Sequence, residues 1–433
     1  MEFSGKKAAF FTLGCKLNFS ETSTIARHFE VKGFDRVGFK EKADVYVINS
    51  CSVTAESDKK SRNMIRQAIR RNPEALVVVT GCYAQLQADV IGEIPGVDYI
   101  LGTNAKFRMT DFFDDFNKRE QPFRLLQSQA KNRDYYHAAS WGDRTRSFLK
   151  VQDGCDYFCT YCTIPFARGR SRNDTIVNTV EKARETVGNG IKEIILTGVN
   201  IGDFGKSTNE TFIDLLKKLD EVDGLERLRI SSVEPNLLTD EIIDFVAGSK
   251  RIAPHFHLPL QAGSNEVLEL MKRRYKRELF AERVAKIRSV LPDAFIGIDV
   301  IAGSNGETEA LFQDGYNFLI DLDVTQLHAF PYSERPGTKA LELKPVVPVD
   351  ERKERTRRLI KLSEKKLRAF YEKNEGQTRS VLFENETTGE LLHGFTDNYI
   401  RVETPFDSRL VNQVREVKLS EINDGGNFEI ELI

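Results

Sequence analysis

Three of the six cysteines in this 433-residue chain stand within eight positions, in Gly154-Cys155-Asp156-Tyr157-Phe158-Cys159-Thr160-Tyr161-Cys162, with no fourth nearby. A structural zinc site closes on four ligands, whereas an iron-sulfur cubane held by three thiolates leaves one iron free to bind a substrate. The other three, Cys15, Cys51 and Cys82, are scattered, yet each follows directly on an apolar run of strand type: AAFFTLG (8–14), ADVYVINS (43–50) and ALVVVTG (75–81). In an open parallel sheet ligands collect outside the carboxyl ends of the strands, so these thiols are expected to converge on a metal site of their own. Helices starting there would aim their N–H groups at an anionic, thiolate-held cluster. One cysteine so placed would read as an ordinary core residue; three equivalent placements do not.

The rest of the composition sets the setting for that chemistry. With 40% hydrophobic and 30% charged residues and a formal net charge of −2, the chain is globular in type, and its length suggests about three domains. The opening MEFSGKKAAFFTLG has too short an apolar stretch for a secretory signal, and no run approaches the ~18 apolar residues that cross a bilayer. A cytoplasmic protein without membrane partners is therefore expected, where thiols stay reduced and serve as ligands or catalytic groups. Near-neutral net charge excludes a global electrostatic grip on nucleic acid, so any RNA contact must be local. Two basic stretches offer one: Lys59, Lys60, Arg62, Arg66, Arg70 and Arg71, and the segment Arg352 to Arg368 with nine basic residues against Glu354 and Glu364. Either could equally be a solvated, ion-paired helix face.

Three modules, α/β in overall class, follow along the chain, and the first two must position the cysteines. Residues 5–116 alternate near-continuous apolar runs, the fourth being VDYILG (97–102), with amphipathic stretches, the pattern of a parallel sheet covered on both faces. Residues from about 117 to 145 lose periodicity and read as a linker or a solvated excursion. In residues 141–372 six strand candidates, 147–152, 193–200, 227–235, 255–263, 295–303 and 324–333, alternate with helices. Six βα units are too few for an eight-fold barrel but suit a partial (β/α)6 barrel whose site lies at the strand C-termini. Residues 374–433 turn to short strands and polar turns, a small all-β barrel. Phe395, Tyr399 and Phe406 there are either a platform for bases or core.

The spacing C-x3-C-x2-C at the end of the first barrel strand resembles the signature of the radical S-adenosylmethionine (SAM) superfamily. The whole chain is similar to the methylthiotransferases of that superfamily, which join a three-cysteine N-terminal domain, a radical SAM core and a C-terminal RNA-binding barrel of the TRAM type. INSCSVTAESDKKSRNMIR, VTGCYAQ, CDYFCTYCTIPFARGRSR, LTGVNIGDFG, HLPLQAGS and FPYSERPGT carry the resemblance. TLGCKLN and LTGVNIGDFG most resemble the branch acting on N6-threonylcarbamoyladenosine beside the tRNA anticodon. Lys16-Leu17 stands where the isopentenyladenosine branch has glutamine-methionine and the ribosomal-protein branch proline-lysine. The fifth strand's IAGSNGETE departs from the family, which has phenylalanine-proline in place of Ser304-Asn305, and this bears on the loop conformation there.

The resemblance implies two 4Fe-4S clusters, one on Cys15, Cys51 and Cys82 and one on Cys155, Cys159 and Cys162, with SAM chelated at the open iron of the second and cleaved there to a 5′-deoxyadenosyl radical. Tyr161 would pack near the adenine, while Thr197, Gly198 and Asn200 would meet the SAM amino group. Glu234 and Gln261 would contact SAM or substrate. The partners implied are a tRNA anticodon loop and an electron donor such as flavodoxin or ferredoxin, with Arg168, Arg170 and Arg172 as phosphate contacts. His257 and His328 lie in matched blocks without an assigned role. The alternatives are methylthiolation of isopentenyladenosine or of a ribosomal protein, or a zinc-stabilised RNA-binding protein without catalysis.

Overall fold

The first sheet forms because apolar runs with no polar face can only be buried on both sides. Strands β1 (Lys7–Thr12), β2 (Asp35–Val37), β3 (Val45–Ser50), β4 (Leu76–Gly81), β5 (Tyr99–Leu101) and β6 (Phe123–Leu125) lie in the order β2-β1-β3-β4-β5-β6, every pair parallel. Along β3 and β4 alternate residues serve opposite layers: Tyr46, Ile48, Val77 and Val79 join one core, Val45, Val47, Leu76 and Val78 the other. The structure is a computed structural model that describes residues 3–113, 116–129 and 132–433, without the side chains of residues 386 and 388. Residues 114, 115, 130 and 131, in the first module and the polar stretch after it, lie outside the described residues.

The polar stretch is not merely a linker. It supplies β6, which hydrogen-bonds to β5, and it returns to the second module through an antiparallel bridge between Ala139 and Leu149. The edge strands β2 and β6 escape a reading by pattern because each is three residues long and mostly exposed.

The second module has the six expected strands: β7 (Ser147–Lys150), β8 (Glu193–Thr197), β9 (Arg227–Ile230), β10 (His255–Gln261), β11 (Phe295–Ala302) and β12 (Gln326–Pro331). They pair in parallel as β7-β8-β9 and β10-β11-β12, and the two halves meet through the bridges Leu228 to Ile252 and Ser232 to His257. The result is an open partial barrel. Four of its outer helices start on a threonine, Thr175, Thr211, Thr239 and Thr308, whose hydroxyl accepts a hydrogen bond from the amide three residues on. Such a cap stabilises a helix by about 1 kcal/mol. The helix Val349–Asn374 lies along β12, where Leu327 N donates to Ser363 Oγ at 2.9 Å. Its basic run is only in part a solvated face, since Arg352 and Arg355 are buried and Arg355 pairs with Glu307 at 2.8 Å. Among the described residues no helix is long and apolar enough to cross a membrane.

Strands β13 (Thr378–Thr388), β14 (Leu391–Thr396), β15 (Arg401–Pro405), β16 (Val414–Ile422) and β17 (Phe428–Leu432) close a barrel in the order β13-β14-β15-β17-β16. It docks on two buried arginines of β9. Arg227 donates to Ser380 O (3.0 Å) and Phe395 O (3.1 Å), and Arg229 to Asp397 O (3.1 Å). Both pair with the buried Glu193, at 3.2 and 2.9 Å. Burial pushes the Glu193 carboxyl up, but Arg229, Arg227 and Arg146 outweigh it and bring it from the usual 4.5 to about 2. A depressed carboxyl stabilises the fold above its unfolded value and stops doing so as pH falls through the folded one. Acidification from pH 5 to 2 is expected to remove about 3 kcal/mol from this joint. Hydrogen exchange in β13 and β14 should accelerate over that window, and less so in Glu193→Gln.

Candidate active site

The N-terminal thiols sit where three strands end. Cys15 occupies the cap position of the helix Lys16–Lys32, Cys51 follows β3, and Cys82 opens the helix Cys82–Leu86. The loops are stitched together by polar side chains. Asn18 Nδ2 donates to Leu13 O (2.8 Å) and Ser50 O (3.2 Å), and Ser50 Oγ donates to Thr80 O while accepting from Ala84 N (3.2 Å). Gly14 has φ +99°, and a Cβ there would meet Cys51 Cβ and Sγ at 2.8 Å, so glycine lets the Cys15 loop close on Cys51. Burial first, then the neighbouring Cys82 and Cys15, pushes the Cys51 thiol up to about 11. Burial also raises Cys82, against the pull of the Arg168 charge.

The second triad lies on the loop after β7. Cys155 N donates to Gly169 O (3.0 Å), Asp153 and Arg172 exchange backbone hydrogen bonds at 2.9 Å, and Cys162 N donates to Cys159 O (3.1 Å). Each sulfur has a donor: Tyr157 N to Cys155 Sγ (3.5 Å), Ile164 N to Cys162 Sγ (3.4 Å) and Arg273 Nη1 to Cys159 Sγ (3.0 Å). Burial pushes Cys155 and Cys162 up to about 12, and Cys162 also feels Cys82 across the module boundary. The helix Cys82–Leu86 packs against the helix Ile164–Arg168 that follows Cys162, which brings Cys82 to the side of the second cysteine loop. Among the described residues no three His, Cys, Asp or Glu side chains are drawn tightly enough to chelate a single ion. A cubane is larger than an ion and holds its thiolates at separate corners.

Buried thiols that resist ionisation, yet are aimed at by hydrogen-bond donors, fit an inorganic body that takes the charge and releases the proton. The end of β8 is also unfilled in its hydrogen bonding. Asn200 is 2% exposed, and neither its Nδ2 nor its Oδ1 has a partner. Such an amide costs roughly 1–3 kcal/mol per unmet group, which a polar ligand would restore. Its loop is fixed by Gln152 Oε1, which accepts from Val199 N (3.0 Å) and Asn200 N (2.9 Å), and Gly198 leaves room for that contact. Thr197 ends β8 beside it and is buried. Tyr161 packs partly buried against the barrel core. Gln261 ends β10 with φ +71°, a strained backbone for a residue with a side chain. Glu234 is paired with Arg273; burial raises its carboxyl and Arg273 opposes.

Arg273 is the residue that sequence reading missed, one cation in the run Lys272-Arg273-Arg274 with nothing local to single it out. Two proposed phosphate contacts need correction. Arg168 is 1% exposed and Arg172 6%, both committed to the Asp153 carboxylate at 2.9 and 3.1 Å, so neither can reach RNA. Arg170 remains exposed, lying 4.9 Å over the Phe158 ring. Tyr399 and Phe395 are half-buried and stack at 4.9 Å, while Phe406 is exposed. His257 lies between Ser232 Oγ (2.6 Å) and Asp299 (3.2 Å), with the His328 ring 5.4 Å away. At Ser304-Asn305 the loop is pinned by Asn305 Nδ2 donating to Ala340 O (3.0 Å) and Gly303 N to Glu307 Oε2 (2.6 Å).

Two clefts of similar size flank the barrel. One of about 350 Å3 adjoins Cys15 and Tyr399. Another, of about 360 Å3, lies at the N-terminal strand ends against the small barrel, and no cysteine lines it.

Residues 7–102 match the uncharacterized protein family UPF0004, and residues 149–319 match the radical SAM superfamily. A threonylcarbamoyladenosine tRNA methylthiotransferase (MtaB) of Bacillus subtilis (strain 168) is 41% identical over 95% of this chain and 93% of its own. Its namesake in Aquifex aeolicus is 39% identical over 92% and 96%. A tRNA-2-methylthio-N(6)-dimethylallyladenosine synthase of Syntrophotalea carbinolica is 32% identical over 94% and 96%. Among solved structures, the radical SAM methyltransferase TsrM of Kitasatospora setae shares the fold, with a TM-score of 0.55 at 15% identity over 77% of each chain. With a cysteine triad in each of the two matched domains and relatives at 41% and 39% identity aligned nearly end to end, this chain belongs to the radical SAM methylthiotransferase family.

Proposed function

We propose that this protein adds a methylthio group to C2 of N6-threonylcarbamoyladenosine next to the tRNA anticodon. The observation that carries the reading is the packing of the Cys82 helix against the helix that follows Cys162, with the buried, unpartnered Asn200 on a loop that Gln152 ties to Gly154. The choice of base is supported by relatives named for threonylcarbamoyladenosine at 41% and 39% identity, against 32% for one named for dimethylallyladenosine.

Cys155, Cys159 and Cys162 would hold the SAM-binding 4Fe-4S cluster, and Cys15, Cys51 and Cys82 the auxiliary one. Together with SAM these groups supply reductive carbon-sulfur cleavage and sulfur delivery, chemistry that acid-base side chains cannot perform at an aromatic C–H. The protein's part is position and charge. Asn200 offers an amide to SAM's polar end, Gly198 keeps Gln152 in place behind it, and Tyr161 walls the adenine. Glu234 and Gln261 close the far side from β9 and β10, and Arg273 donates to Cys159 and steadies Glu234. The exposed Lys59, Lys60, Arg66 and Arg70 of the helix Ala55–Arg71, with Arg170, offer local phosphate contacts. A flavodoxin or ferredoxin would provide electrons, in the cytoplasm where tRNA is matured.

Nucleoside mass spectrometry of tRNA from a strain lacking this protein tests the reading. The 2-methylthio derivative of threonylcarbamoyladenosine should vanish, its unthiolated precursor should accumulate, and the isopentenyladenosine derivative should persist. Loss of the latter instead, or of a modified ribosomal protein, would overturn the assignment.

A further inference from the structure

The cleft of about 350 Å3 beside Cys15 is within the size range of small-molecule pockets, and its walls are aromatic: Phe19, Phe148 and Tyr399. Three cations line it as well, and their pairing differs. Arg146 is bound to Glu384 at 2.9 Å and covers the Phe395 ring at 4.5 Å. Lys16 and Arg144 have no carboxylate partner among the described residues, and Arg144 lies 4.9 Å over the Phe19 ring. Aromatic faces beside uncompensated positive charge suit a flat base that carries an anion. Threonylcarbamoyladenosine is such a base, since its threonyl group ends in a carboxylate, whereas a dimethylallyl substituent is uncharged and apolar.

We propose that Lys16, assisted by Arg144, reads the carboxylate of the threonylcarbamoyl group and so selects this base over apolar N6-substituted adenosines. The inference rests on the function proposed above. Lys16 follows Cys15 directly in the chain, so an anion held by Lys16 places the base against the auxiliary cluster's first ligand. Discrimination and alignment then come from one contact. An RNA phosphate shares the anion chemistry, but it would be present whether or not the base carries its carboxylate.

The test is equilibrium binding, by fluorescence anisotropy, of the reconstituted full-length enzyme to two anticodon stem-loops. One carries threonylcarbamoyladenosine and the other its methyl ester. Wild type should bind the acid about 30-fold tighter than the ester. Lys16→Gln should lose most of that factor on the acid and stay within about twofold on the ester, with Lys16→Arg retaining the preference and Arg144→Gln giving a smaller loss. Iron content equal to wild type shows that the Cys15 loop has survived. Equal weakening of both RNAs by Lys16→Gln, the mark of a phosphate contact, would overturn the proposal, as would a wild type that does not distinguish them. If the acid RNA is still methylthiolated in those cases, the parent function stands; if it is not turned over at all, both fall.

Discussion

Arg168→Met is expected to destabilise the chain by about 3–5 kcal/mol, the usual cost of breaking a buried ion network at one partner. Arg168 sits in the helix that follows Cys162 and reaches across to the N-terminal module. It donates to Glu21 Oε1 (3.1 Å) and Oε2 (3.0 Å), Asp153 Oδ1 (2.9 Å) and Asn18 Oδ1 (2.5 Å). Glu21 is wholly buried on the first helix, and Asp153 lies two residues before Cys155. Burial alone would raise the Glu21 carboxyl, but Arg168, Lys106 and Lys150 hold it far below the usual range.

The charges of this network do not cancel within it. Lys106, Lys150, Arg168 and Arg172 face Glu21 and Asp153, four cations to two anions. The excess acts on Cys82, where the charges of Arg168 and Lys106 favour the thiolate a cluster requires. Arg168→Met should therefore lower the denaturant midpoint of the apoprotein and weaken iron retention by Cys15, Cys51 and Cys82. Arg168→Lys restores the charge but not the fork of donors, and should recover less than half of the stability. A denaturation curve unchanged in the methionine variant would show that the network is not what joins the two modules.

The same network marks where sequence reading stops. Cysteine positions at strand ends were legible because a strand's end is visible as the end of an apolar run, and the six barrel strands for the same reason. Asn200 could be singled out from its block. The burial of Arg168 could not, because its partner Glu21 is 147 residues away, and an arginine next to a cluster loop looks the same whether it faces RNA or a buried carboxylate. Arg352 and Arg355 repeat the lesson in the helix Val349–Asn374, where a basic run hides two buried side chains among solvated ones. Strands β2 and β6 were invisible for a different reason. An edge strand three residues long needs no apolar face of its own, since the neighbouring strand supplies its hydrogen bonds.

Gly154→Ala is expected to remove one cluster and spare the other. Gly154 has φ +72°, and a Cβ built there would lie 2.0 Å from Arg170 O and 2.6 Å from Gly169 O. Those atoms are backbone, so no rotamer change relieves the clash and the turn must open. Opening it breaks the Cys155 N to Gly169 O bond and the paired bonds between Asp153 and Arg172, which hold the loop against residues 169–172. Cys155 is then displaced from Cys159 and Cys162, while the loops of Cys15, Cys51 and Cys82 keep their own hydrogen bonds. Iron should fall from about eight to about four per chain. Reductive SAM cleavage should drop at least about a hundredfold, as expected when a reacting centre is misplaced by an ångström or more. Gly188→Ala serves as the control, because nothing lies within 4 Å of its added carbon. It ends the helix Ile176–Gly188, where alanine is the better helix former, and stability should be unchanged or slightly raised. A Gly154→Ala enzyme that keeps eight irons and cleaves SAM at the wild-type rate would mean that the Cys155 turn does not set the geometry of that triad.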